Sequence, residues 1–287
     1  MPERSILDRH SVPVIVCAGI FFLLILILAW APRSTSLPTR SNYQPTLPPA
    51  QPSPAEPAGN SGASQIFANL TPNGTFDTLV ENQLYPNERP ELAAEVEQAF
   101  EYVSQRFGAS PSARFKAAFA IDQQCMLHGI TRADERIAQV YSCSNIPRAQ
   151  AVAIMAHEFG HQLEYDYYGP QHLNADQMLA EGLATWAADR YWLGSHPDFR
   201  SYVREQRQAG GLSPLAAGIG REDFVAMNRL YYQWASFVDF LIASYGRPQF
   251  DKLYITGHLA AGSADYAGIY GKDLNALEQE WQAWLDS

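Results

Sequence analysis

Ala151-Val152-Ala153-Ile154-Met155-Ala156-His157-Glu158-Phe159-Gly160-His161-Gln162-Leu163-Glu164 is the stretch on which the reading of the whole chain turns. It is an apolar, helix-forming run interrupted by the pattern His-Glu-x-x-His. Residues four apart stand one above the other on a helix face, so His157 and His161 can both reach one cation. Glu158 projects near that cation without joining the pair, where a general base is needed to take a proton from a water at the metal. Catalytic zinc takes three protein ligands and keeps one position open. The next predicted helix, with Ala180-Glu181-Gly182-Leu183-Ala184-Thr185-Trp186, offers Glu181 as the third ligand. If both histidines were ordinary core residues, Glu158 would be an unpaired charge on an apolar face, an expensive arrangement that a metal relieves.

The flanking regions divide the chain into a segment 1–11, an apolar span 12–31, a Pro/Ser-rich stretch 32–65 and a folded domain 66–287. The span from Val12 to Trp30 carries no charge and is long enough to cross a bilayer as a helix. Arg4 and Arg9 precede it, partly offset by Glu3 and Asp8, and Arg33 and Arg40 follow it; a cytoplasmic N-terminus with the bulk of the chain outside is the expectation. Ala29-Trp30-Ala31 has the small-x-small form of a signal-peptide cleavage site. The apolar run is longer than a usual signal core, however, and Pro32 would follow the cut, so an uncleaved signal-anchor is expected. Residues 32–65 hold too few large apolar side chains to offset the entropy of ordering, and their prolines favour an extended tether.

Composition narrows the partners. A net charge of −10 argues against nucleic acid and against an anionic membrane surface as partner and says little else; the expected partners are the lipid bilayer, through 12–31, and a peptide or protein substrate. Of three cysteines, Cys125 and Cys143 fall in the exported domain. In an oxidising compartment they are candidates for a disulfide worth about 3 kcal/mol, the alternative being two separate buried thiols.

Along the domain, Pro90–Phe107 has a helical stripe of Leu92, Val96, Ala99, Phe100 and Val103, stopped by Gly108. Arg114–Ile121 and Arg136–Ser142 read as strands. Pro147 opens the His-Glu-x-x-His helix, which is expected to run to Tyr168, before Gly169-Pro170. Asn174 or Ala175 starts the next, with Asp176 in its first turn. A charged helix over 198–208, a Gly-rich connector over 210–220, an apolar helix over 227–245 and helices over 248–256 and 273–285 complete the chain. Glu164 and Asp166 read as a solvated helix end. His128, His172 and His196 fall in loop-like stretches and receive no role.

At this point the residues carry a resemblance. His157-Glu158-x-x-His161 with Glu181 in an E-G-L-A context is similar to the gluzincin zinc metallopeptidases. The helix Tyr231…Phe237-Val238…Leu241…Tyr245-Gly246 resembles the peptidase-MA-like group, relatives of thermolysin and aminopeptidase N. The resemblance spans roughly 90–287. It implies one Zn²⁺ per chain held by His157, His161 and Glu181, with Glu158 as general base. It also implies a tyrosine from the later helix as oxyanion donor: Tyr231 by its distance from Phe237, with Tyr232 as the fallback. Family members often carry an acidic residue one turn after the glutamate ligand. Thr185 stands there in this chain, so Asp189 is considered as the group that orients a ligating histidine. No segment like the G-x-M-E-N amine-binding motif of aminopeptidase N relatives precedes the zinc helix, which favours an endopeptidase.

The expectation is an α+β, zincin-like metallopeptidase domain, a small sheet over the His-Glu-x-x-His helix with a mostly helical C-terminal half. Its expected activity is peptide hydrolysis by a zinc-activated water, from a single-pass membrane protein with an extracytoplasmic domain. The alternatives are a non-catalytic, zinc-containing peptide-binding module and a cell-envelope structural module.

Overall fold

The computed structural model describes residues 67–71, 74–217 and 224–287. The expected anchor over 12–31 and tether over 32–65 lie outside the described residues. Among the described residues, no helix is long and apolar enough to cross a membrane. The architecture is α+β. A mixed sheet, in the order β1-β2-β3-β5-β4, comprises β1 (Phe67–Asn69), β2 (Phe76–Glu81), β3 (Phe115–Ile121), β4 (His128–Arg132) and β5 (Ile137–Ser142). β2, β3 and β5 run parallel, and β1 and β4 pair antiparallel at the two edges. Helix α1 (Arg89–Phe107) supplies the crossover between β2 and β3.

The central strand, β3, is buried at five of its seven positions, as expected of a parallel strand with neighbours on both sides. The edge strand β4 instead alternates, and its buried positions Gly129 and Thr131 face the helical layer. That layer begins with α2 (Arg148–Tyr168), preceded by Pro147. Four phenylalanines lock it to the sheet: Phe76 of β2, Phe100 of α1, Phe115 of β3 and Phe159 of α2, with ring centroids 5.0–5.8 Å apart. Phe159 lies inside the His-Glu-x-x-His pattern, so the same helix turn that carries the polar face is anchored in the core. Burying aromatic side chains of this size contributes about 1.5–3 kcal/mol each.

After a 3-10 turn at Gly169–Asn174 come α3 (Gln177–Ala188), α4 (Arg190–Leu193), α5 (Phe199–Gln208), α6 (Phe224–Tyr245), α7 (Arg247–Tyr254), α8 (Tyr266–Tyr270) and α9 (Leu274–Asp286). Asp176 is the N-cap of α3 rather than part of its first turn, accepting from Met178 N at 2.9 Å. The same carboxylate accepts from the backbone of Gly262 and Ala264 and from the hydroxyl of Tyr266, tying the C-terminal segment to α3. Helix α3 runs close against α2 because Gly160 has no side chain: a Cβ there would lie 2.7 Å from Ala184 Cα. Cys125 and Cys143 form a disulfide with Cα atoms 5.0 Å apart, joining the loop after β3 to the residue following β5.

Candidate metal centre

The two elements that meet at Gly160 bring three donor atoms together. His157 and His161 project from one face of α2, and Glu181 faces them from α3. His157 Nε2 lies 3.2 Å from Glu181 Oε2 and 3.1 Å from His161 Nε2, and His161 Nε2 lies 3.5 Å from Glu181 Oε2. The three side chains are buried, none more than 3% exposed. Zinc bonds of about 2.0–2.1 Å at tetrahedral angles would separate ligand atoms by about 3.3 Å. The observed spacings bracket that value, so the donor set fits a tetrahedral ion with its fourth position open.

The far nitrogens of both rings are engaged. His157 Nδ1 lies 3.2 Å from Thr185 Oγ1, and His161 Nδ1 lies 2.8 Å from Glu164 Oε2. Proton donation outward from each Nδ1 leaves both Nε2 lone pairs pointing inward beside the Glu181 carboxylate. Burial lowers the pKa of His157, favouring the neutral ring. Burial alone would raise that of Glu181, but the two histidines beside it overcome this and hold the carboxyl well below its ordinary value. Neutral imidazoles and an ionised carboxylate are the forms that ligate a cation.

Glu158 is supported from the sheet. Thr131 of β4 places Oγ1 2.6 Å from Glu158 Oε2 and 3.1 Å from the Glu158 carbonyl oxygen. The close passage of β4 over this carboxylate requires Gly129, where an added Cβ would fall 2.2 Å from Glu158 Oε1. Burial pushes the Glu158 carboxyl up to about 8, opposed by His161 and by the hydrogen bond from Thr131.

The two tyrosines considered from the sequence separate clearly. The ring of Tyr231 lies 5.8 Å from that of His157, between Trp192 at 6.1 Å and Trp234 at 5.7 Å. Tyr232 turns the other way, donating its hydroxyl to Trp192 O at 2.9 Å and stacking on Tyr202 at 4.1 Å. It is a packing residue.

Several sequence expectations are corrected. Asp189 does not orient a histidine. It caps the C-terminus of α3, accepts from the Tyr102 hydroxyl and pairs with Arg106 at 3.2 Å. Thr185 takes that position at His157. Glu164 and Asp166 are not a solvated end: Glu164 is completely buried against His161, and Asp166 pairs with Arg136 and accepts from Ser112 at 2.6 Å. His128 lies in β4 and stacks on Tyr141 at 4.6 Å. His172 is buried in the 3-10 turn, 2.8 Å from the Tyr254 hydroxyl, whereas His196 packs edge-on against Tyr202 at 4.6 Å. The sequence signal for the strand that carries Thr131 is weak, because only Ile130 and Thr131 favour it, next to Gly129. The position of Glu164, one turn beyond His161 on the same helix, was the available signal for its role.

No family model matches the sequence, and no curated protein matches it significantly. Among solved structures, an M1 zinc metallopeptidase from Deinococcus radiodurans is similar at 19% identity and a TM-score of 0.44, over 73% of this chain and 48% of that one. A point variant of that enzyme gives 18% identity, the same coverage and a TM-score of 0.44. A two-domain M1 zinc metallopeptidase variant bound to L-arginine gives 16% identity and a TM-score of 0.40, covering 73% of this chain and 48% of that one. The chain thus spans about half the length of these structures. A likeness of this degree transfers no chemistry, and the functional reading rests on the side chains described above.

Proposed function

We propose that the chain is a membrane-anchored, extracytoplasmic zinc peptidase of gluzincin type that hydrolyses peptide bonds. The observation that carries this reading is the convergence of His157 Nε2, His161 Nε2 and Glu181 Oε2 within 3.1–3.5 Å, with the Glu158 carboxylate on the same helix. These three residues would hold one zinc ion. Zinc, when bound, polarises a carbonyl and acidifies water. With a cation beside it to offset the burial that raises its carboxyl, Glu158 would accept the proton of an attacking water and deliver it to the departing amine. Thr131 keeps the carboxylate oriented for both transfers. Tyr231 supplies the hydroxyl that donates to the developing oxyanion, a contribution of about 3 kcal/mol in barrier. The missing G-x-M-E-N-like segment favours an endopeptidase over an aminopeptidase, and the apolar 12–31 run provides the bilayer anchor.

One observation favours a non-catalytic, zinc-containing module instead: His157, Glu158, His161, Glu181 and Tyr231 are all at most 3% exposed. A substrate must therefore open a path that a purely stabilising ion would not need. The two readings are separated with full-length protein in detergent, by measuring zinc per chain and cleavage of a diverse peptide library for wild type and Glu158→Gln. One zinc in both, with cleavage in wild type alone, is the expected result. Zinc in both with equal cleavage removes Glu158 as the general base, and no metal in wild type overturns the peptidase reading. Zinc in both without cleavage in either transfers support to the non-catalytic module.

A further inference from the structure

Behind His161 lies a buried polar chain that the proposed reaction does not use. Glu164 Oε2 is 2.8 Å from His161 Nδ1 and 3.4 Å from His172 Nδ1. His172 Nδ1 is in turn 2.8 Å from the hydroxyl of Tyr254, which packs beside the same carboxylate. All four side chains are buried, at no more than 2% exposure. They come from two turns of α2, the 3-10 turn and α7, so three separate pieces of backbone meet at one carboxylate.

We infer that Glu164 is a positioning residue that holds His161 in the Nδ1–H tautomer and fixes its ring, with Tyr254 and His172 packed beside the carboxylate. One proton arrangement gives both hydrogen bonds a donor and an acceptor. His161 Nδ1–H donates to Glu164, and His172 Nδ1–H donates to the Tyr254 oxygen. In that arrangement His161 Nε2 presents its lone pair to Glu181 and His157, as a metal ligand must. The inference rests on the zinc reading for its purpose, but the tautomer itself is a property of the metal-free protein.

The same atoms admit a competing reading. His161, Glu164 and His172 each offer a donor atom within 4.8 Å of the others, as a second cation site would. Occupying it would require His161 to give up its Nδ1 proton while Nε2 also binds metal, and would take His172 Nδ1 from Tyr254. The positioning role keeps the His161–Glu164 and His172–Tyr254 contacts as they stand.

The test uses full-length protein carrying Glu164→Gln, Glu164→Leu or Tyr254→Phe. Zinc affinity is measured by competition with a chromophoric chelator, and thermal stability on the metal-free forms. The tautomer of His161 is read from long-range proton–nitrogen couplings in metal-free, 15N-histidine-labelled wild type. Expected are an Nδ1–H tautomer, zinc affinity lowered about 10-fold in Glu164→Gln and about 100-fold in Glu164→Leu, and a smaller loss in Tyr254→Phe. Glu164→Gln keeps the shape of the side chain and removes a buried charge, so its metal-free melting temperature is expected to be equal or higher. Wild-type affinity in both Glu164 variants overturns the inference. So does an Nε2–H tautomer, an affinity loss matched by an equal loss of metal-free stability, or two zinc ions per wild-type chain. A wild type that binds no zinc refutes the proposed function instead, and the tautomer measurement still decides the inference.

Discussion

Substituting Gly160 by alanine probes the contact that brings the candidate ligands together. The new Cβ would lie 2.7 Å from Ala184 Cα, 2.9 Å from its Cβ and 3.2 Å from its carbonyl oxygen. Ordinary carbon contacts lie near about 3.7 Å, so α2 and α3 must separate by about 1 Å. Ala184 is one turn from Glu181 on α3, and the displacement passes directly to the carboxylate. Its present distances of 3.2 and 3.5 Å to the histidine nitrogens would then exceed about 4 Å, well beyond the tolerance of about 0.2 Å that metal sites allow. Stability is expected to change less. Overpacking costs about 1–3 kcal/mol, while replacing glycine by alanine inside a helix returns about 1 kcal/mol. The net expectation is a loss of at most about 2 kcal/mol in the metal-free protein. A misplacement of about 1 Å is expected to lower kcat/KM on the order of 100-fold. Chemical denaturation of the metal-free protein, chelator competition for zinc and peptide cleavage measure the three quantities. A Gly160→Ala protein with wild-type zinc affinity and cleavage would refute the idea that this approach sets the ligand geometry.

Other perturbations separate neighbouring roles. Tyr231→Phe is expected to retain zinc and lose about 100-fold in kcat, whereas Tyr232→Phe leaves kcat near wild type and costs about 1 kcal/mol of stability through its bond to Trp192 O. Equal kinetics in the two variants would contradict the assignment. Thr131→Val removes the hydroxyl held 2.6 Å from Glu158 Oε2 and is expected to lower kcat/KM at least about 10-fold with zinc binding intact; an unchanged rate in steady-state assays would show that Glu158 needs no support from β4. Replacing Cys125 and Cys143 together by serine is expected to cost about 3 kcal/mol in denaturant unfolding, and no loss would mean that the bond contributes nothing to folding.

How much of this was legible in the sequence depended on whether the signal was local. Helices α1, α2 and α6 follow from apolar periodicity and from Gly108, Pro147 and Gly246 near their ends. The convergence of His157, His161 and Glu181 was readable because two ligands share one helix face and the third lies on the next helix. Strand β4 was not readable: Ile130 and Thr131 favour a strand, but they stand in a five-residue stretch with Gly129 before them, and its pairing with β5 turns on a loop without a glycine or asparagine signal. Glu164 was misassigned for a different reason. A glutamate near the end of a helix is usually solvated, and only the arrival of Tyr254 from α7 and His172 from the 3-10 turn buries it.

The arrangement around the two histidines has a physical logic beyond their spacing. Two neutral imidazoles aimed at one carboxylate present three acceptors to a common point, and without a cation or a proton between them these repel. Such a cluster persists only if each ring is held from its other side. His157 is held by Thr185 of α3 and His161 by Glu164 of α2 itself, so the two orientations are fixed by different elements. Glu158, on the same turn but outside the trio, is held by a third element, the edge strand. Separate supports mean that the orientation of each ligand, and that of Glu158, can be altered individually by a single substitution. Each contact can therefore be removed alone, and its effect on ion binding measured apart from its effect on the fold.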